Sequence, residues 1–240
     1  MPDTAPSLAL VREKLAALGP GRVWRPVPGP GDELLARGGG PDAASLEAYV
    51  AGLDVAGKTV ADLGCNLGFF SFLAARRGAR YVLGCDIDPE VVAVARLLAG
   101  LHGLGNVAFA SLDFLAKTPE APCDLALFVD FIGRGCIAKG RLAAVAAAAE
   151  AWARHEAFFT LHPVYDLDDL PLDPERLEVL YPGAVGQGRF HTDLALAGLL
   201  GPGWARRRTT DGLDLGHGGQ SKAAVLFTRL ASPVAAAPLR

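Results

Sequence analysis

Apolar residues recur at helical spacing from Ser7 to Leu18 and stop at Gly19-Pro20-Gly21, which predicts a short amphipathic helix. From there to Pro41 the chain is broken by Pro26, Pro28, Pro30 and Gly38-Gly39-Gly40, so it sustains neither a helix nor a central strand and reads as an arm or lid. A second short helix is predicted over Asp42 to Gly52. The β-prone run Lys58 to Leu63 then ends in a glycine-rich turn, and a rhythm of strand and helix begins. Helices are predicted over Phe69 to Arg77, Glu90 to Leu101, Arg141 to His155 and Asp193 to Leu200. The second of these has Asp88 as N-cap and Pro89 at its first position. Strands are predicted over Tyr81 to Asp86, Val107 to Ala110, Asp124 to Val129 and Ala157 to Leu161. Two last β-like runs, Trp204 to Thr210 and Ala223 to Leu230, have no helix between them and suggest an antiparallel hairpin at one edge. The pattern is that of an α/β fold with a mostly parallel sheet.

Composition narrows the class. With 240 residues, 51% hydrophobic and 20% charged, the chain can bury a sizeable core. The 29 glycines and 17 prolines follow no Gly-X-Y period and therefore punctuate a fold. The 18 Arg against 5 Lys, with abundant Ala, look like coding bias and carry no functional inference. A net charge of −3 gives no global attraction to nucleic acid or anionic membrane. The longest apolar stretch, Leu142 to Ala149, is too short to span a bilayer. Charges within the first turns break any signal-peptide core. Cys65, Cys85, Cys123 and Cys136 form no C-x-x-C pair and sit beside apolar runs, as buried free thiols in a reducing cytoplasm do. A cytoplasmic location and no metal are expected.

The most informative segment is Val60-Ala61-Asp62-Leu63-Gly64-Cys65-Asn66-Leu67-Gly68-Phe69-Phe70. A strand delivers an acid, a tight turn follows, and a helix begins at once, so backbone can approach a nucleotide-like ligand. The dinucleotide fingerprint G-x-G-x-x-G fails at Asn66 and Phe69, which argues against NAD or FAD. What remains, acid-x-Gly-x-Asn-x-Gly, resembles the first motif of class I S-adenosylmethionine-dependent methyltransferases. Its departure is Asn66 for the middle glycine, and Asn tolerates a left-handed backbone well. Two more acids, Asp86 and Asp113, follow the next two strands.

The resemblance implies a Rossmann-like fold with seven strands, mostly parallel, a terminal antiparallel hairpin and helices on both faces. It also implies S-adenosylmethionine as cofactor. Asp62 and the turn Gly64, Cys65, Asn66 and Gly68 would lie against the amino-acid end, with Phe69 beginning the helix beneath. Asp86 would accept the ribose hydroxyls, and Ile87, Leu112, Asp113 and Phe114 would flank the adenine. Residues 1–41 are expected to form the arm, 42–230 the methyltransferase domain and 231–240 a flexible tail.

Acceptor chemistry is expected after the fourth strand, at Val129-Asp130-Phe131. No Pro-Pro-aromatic signature of base amino methylation occurs there, and Pro122-Cys123 precedes the strand. Asp130 is a candidate base or acceptor-orienting carboxylate, or a cap for the following loop. His162, after the fifth strand, is a candidate imidazole or a solvent-bonded loop residue. Residues 163–190 form a long connection that, with Val23-Trp24-Arg25, would select substrate. Arg206-Arg207-Arg208 reads as sheet-edge protection, since alternation breaks any phosphate track. The expected function is methyl transfer to oxygen, nitrogen or carbon of a small molecule. The alternatives are a tRNA wobble-uridine methyltransferase, to which Asp62 to Phe72 bears a local likeness, and a binder of the cofactor that does not transfer methyl. A nicotinamide oxidoreductase ranks behind them. The oligomeric state is left open.

Overall fold

A computed structural model describes residues 6–31, 33–40, 43–214 and 221–231. The expected tail over 231–240 lies outside them but for its first residue. Helix α1 (Leu8–Leu18) is capped by Ser7, whose hydroxyl accepts from the Leu10 amide. The described part of the arm holds a 3₁₀ turn and a small hairpin, β1 (Val27–Pro28) and β2 (Leu34–Ala36). After α2 (Ala43–Ala51) come β3 (Thr59–Leu63), α3 (Phe69–Arg76), β4 (Tyr81–Asp86), α4 (Pro89–Leu101) and β5 (Val107–Ser111). There follow β6 (Cys123–Phe128), α5 (Arg134–Ala138), α6 (Leu142–Trp152) and β7 (Ala153–Leu161). A small sheet of β8 (Val164–Asp166), β9 (Val185–Gly186) and β10 (Arg189–His191) encloses α7 (Pro174–Leu180). Helix α8 (Thr192–Leu200) and the hairpin β11 (Trp204–Asp214) and β12 (Ser221–Arg229) complete the fold.

The large sheet has seven strands in the order β11-β12-β7-β6-β3-β4-β5. Strands β3 to β7 run parallel, and β12 enters antiparallel between β7 and β11. Successive strand residues serve opposite faces. Val60, Leu125, Leu127 and Phe158 pack under α2 and α3, while Ala61, Leu63, Phe128 and Phe159 pack under α5, α6 and α8. Both faces being covered, β3 and β6 are buried almost along their whole length. The arm is not loose: Val11, Leu15 and Leu18 of α1, with Val23 and Val27, bury against Val91, Ala95 and Leu98 of α4.

Two stretches differ from the sequence expectation. The helix anticipated to His155 ends at Trp152, and Ala153 to Glu156 begin β7, bridging β6 and β12. Buried Trp152 donates its indole N–H to the carbonyls of Phe114 and Lys117, which fixes the helix end and lets ladder pairing override helix propensity. The long connection over 163–190 is ordered: Tyr165, Tyr181 and Phe190 are buried, and the Tyr181 hydroxyl donates to the Ile137 carbonyl at 2.9 Å.

Candidate functional site

Strand β3 ends at Leu63, and the turn to α3 uses three left-handed residues, Gly64 (φ +82°), Asn66 (φ +48°) and Gly68 (φ +84°). Gly64 and Cys65 donate their amides to the Cys85 carbonyl at 2.8 and 2.9 Å, binding the turn to the end of β4. A Cβ at Gly68 would lie 2.5 Å from the Phe109 ring, so that position requires glycine for space as well as for φ. Beneath the turn, Asp62 is 1% exposed and accepts the Ser71 hydroxyl at 2.6 Å. Burial, assisted by the Asp86 charge, pushes its carboxyl up to about 6 although Ser71 opposes the rise.

Asp86 closes β4. One carboxylate oxygen accepts the Asn66 amide at 2.9 Å and the other the Asp88 amide at 3.0 Å. Each oxygen keeps a lone pair for a further donor, so a vicinal diol fits there. Asp88 caps α4 by accepting the amides of Glu90 and Val91. It also accepts Arg22 Nε at 2.9 Å, and that guanidinium holds the Asp88 carboxyl below its ordinary range.

A cleft of about 330 Å³ opens at the carboxyl edge of the parallel strands. Gly64, Cys65, Asn66 and Asp86 form one side, Val129, Asp130 and Phe131 another, and Phe70 also lines it. Gly21, Arg22, Trp24 and Arg25 of the arm supply a third wall. Trp24 is 53% exposed there, free to offer an aromatic face. Burial raises the Cys65 thiol well above its ordinary value and keeps it protonated.

Asp130 follows β6 in a left-handed conformation (φ +58°), with its amide donating to Thr160 Oγ1 at 2.7 Å. Its carboxylate accepts Arg25 at 2.6 Å and also pairs with Lys222 Nζ. Arg25 also lies over the Phe70 ring at 5.7 Å. One acid thus joins the arm, β6, β7 and the first turn-side residues of β12. His162 does not line the cleft; its ring packs on Tyr165, 5.5 Å between centroids.

Of the residues expected to hold a cofactor, Gly64, Cys65, Asn66 and Asp86 meet at the cleft, and Asp62 and Gly68 shape the turn from below. Phe69 begins α3 and meets Phe70 edge to face. Ile87, beside Asp86, is 68% exposed, an apolar surface that a bound ring can cover. Leu112 donates its amide to the Asp86 carbonyl, and exposed Asp113 accepts the Leu115 amide on Oδ1. Buried Phe114 supports Phe131, 5.0 Å between rings. None of the cleft-lining residues comes from 163–190. Arg206 pairs with the buried Asp193, in keeping with a sheet-edge role. Sequence reasoning did not find Lys222, Thr160, Arg22 or Ser71. Lys222 and Thr160 reach the site only through strand order, whereas Ser71 stands one helical turn after the glycines and was detectable.

Residues 54–151 match the family model described as a methyltransferase domain. Ribosomal protein L11 methyltransferase from Aeromonas hydrophila is 40% identical over 91 residues, 35% of this chain and 31% of that protein. The corresponding protein of Sodalis glossinidius is 38% identical over 92 residues, with the same shares. The chain thus spans about a third of the length of the curated relatives it matches. Magnesium protoporphyrin IX methyltransferase from Synechocystis, solved with bound S-adenosylhomocysteine, superimposes with a TM-score of 0.55 at 20% identity, over 78% of this chain and 82% of that one. Residues 54–151 thus match a methyltransferase domain, and the seven-stranded sheet shares the fold of the methyltransferase solved with S-adenosylhomocysteine.

Proposed function

We propose that this protein transfers a methyl group from S-adenosylmethionine to a small-molecule acceptor bound between the arm and the end of β6. The observation that carries the cofactor assignment is the Asp86 carboxylate, presented at the cleft by two backbone amides with lone pairs to spare, beside a left-handed glycine turn and exposed Ile87. When bound, S-adenosylmethionine supplies an activated methyl group on a sulfonium. Asp86 would hold the ribose, Gly64 to Gly68 the amino-acid end, and Ile87, Leu112, Asp113 and Phe114 the adenine side. The chain's own task is chiefly to place the acceptor in line.

Asp130 suits that task better than proton removal. Two cations, Arg25 and Lys222, pair with its carboxylate, which so presents oxygens that accept. It would orient a donor group of the acceptor, with Trp24 and Phe131 as apolar walls. His162, outside the cleft lining, is assigned no contact with the acceptor. The small-molecule reading is supported by the arm, which walls one side of a cleft of only about 330 Å³. The similarity to proteins named ribosomal protein L11 methyltransferase favours a second reading, a protein nitrogen as acceptor.

Incubation with methyl-labelled S-adenosylmethionine and fractionated cell extract separates these readings. Label in the low-mass fraction supports the first reading, label in protein the second, and label in tRNA overturns both. Tight cofactor binding with no label transferred to any fraction points instead to a non-catalytic binder. Calorimetry with S-adenosylmethionine and NAD on the wild type tests the cofactor itself.

A further inference from the structure

Asn66 replaces a glycine of the motif, and its tolerance of positive φ explains only why the turn survives. Its side chain does something a glycine cannot. Oδ1 accepts the Trp24 amide at 3.3 Å, and Nδ2 donates to the Arg22 carbonyl at 2.9 Å. Both partners are backbone groups of the arm, so the amide grips the peptide on either side of Val23. The same arm is tied at its flanks by Arg22 to Asp88 and by Arg25 to Asp130. The three anchors belong to the loops that follow β3, β4 and β6. The arm is therefore a strap laid across three strand ends, with Asn66 at its middle.

We propose that Asn66 is a positioning residue that clamps the arm across the cleft, sets the place of Trp24 and Arg25 in the acceptor wall, and slows exchange of whatever the cleft holds. The clamp itself is a property of the free chain; only its effect on exchange rests on the cleft being the cofactor site. The Asn66 backbone amide, which serves Asp86, is retained by glycine or any other residue but proline at this position. Asn66→Gly therefore removes the clamp alone, and it relieves the positive φ.

Hydrogen exchange and limited trypsin digestion of the free protein test the clamp. Asn66→Gly is expected to raise exchange of the Trp24 amide and cleavage after Arg22 by about tenfold or more, with amides of β3 unchanged. Asn66→Asp, which keeps an acceptor for the Trp24 amide and loses the donor to Arg22, should fall between. Wild-type rates in Asn66→Gly would overturn the proposal. In a parallel displacement assay, Asn66→Gly should release labelled S-adenosylmethionine several-fold faster than wild type. If the wild type does not bind it, the cofactor reading falls while the exchange data still decide the clamp. If it binds and leaves Asn66→Gly at the wild-type rate, the clamp has no hold on the cleft.

Discussion

Replacing Asp62 by Asn should stabilise the protein at neutral pH and not in acid. The Asp62 carboxyl titrates near 3.8 in an open chain and at about 6 in the fold. Holding it ionised therefore costs about 3 kcal/mol above pH 7. The sign follows from proton binding: the folded chain holds the proton more tightly. This group's contribution to stability is thus complete below pH 4, declines as pH rises through 6, and is lost above it. The amide of Asp62→Asn can still accept the Ser71 hydroxyl, but its N–H2 needs a new partner, which returns about 1 kcal/mol. A net gain of about 2 kcal/mol at pH 8 corresponds to a rise in melting temperature of about 4–8 °C for a domain of this size. Urea unfolding of both proteins at pH 4 and pH 8 measures it. A gain of equal size at the two pH values, or none at pH 8, would show that Asp62 is not the strained buried acid described above.

If Asp86 holds the ribose as proposed, Asp86→Ala should weaken S-adenosylmethionine binding by about 100-fold or more, since charge-assisted bonds to two hydroxyls are worth about 1.5–3 kcal/mol each. Calorimetry reads this directly, and unchanged affinity would misplace the ribose. Gly68→Ala puts a methyl group 2.5 Å from the Phe109 ring at φ +84°, and should lower stability by about 2–4 kcal/mol in a denaturant titration. Burial pushes the Cys85 thiol up to about 12 and Cys136 up to about 11. In native protein at pH 8 a disulfide reagent should therefore modify the partly exposed Cys136 before any other, and rapid modification of Cys85 would contradict its burial. Truncating Trp24→Ala should raise the acceptor KM with little change in cofactor affinity, which steady-state kinetics would separate once an acceptor is known.

The geometry of the glycine turn and of the strand ends beside it was legible because its determinants are local. Left-handed glycines, the Asp88 cap and acids at strand ends are written within a few residues of where they act. Lys222 could not be read this way: it sits beside Asp130 only because β12 runs antiparallel between β7 and β11. Arg22 and Arg25 stand in the segment read as an arm, but nothing in the local sequence says which acids they meet. The α6 to β7 junction was misplaced because ladder bonds to two strands outweigh the propensity of an Ala-rich run. The small sheet in 163–190 was passed over although Asp173-Pro174-Glu175 is a helix start and Tyr165 and Phe190 are the buried members of short alternating strands.

The environment of Asp130 is assembled from distant parts of the chain. Arg25 lies 105 residues before it and Lys222 lies 92 residues after it. During synthesis this acid emerges with its arm partner already made and its strand partner still to come. Its turn therefore reaches its final balance of charge only when β12 inserts between β7 and β11. The balance of charge at the end of β6 and the closing step of sheet assembly are for that reason one event. A fragment ending after β11 should leave Asp130 paired with Arg25 alone, and adding β12 as a separate peptide should restore its second cation.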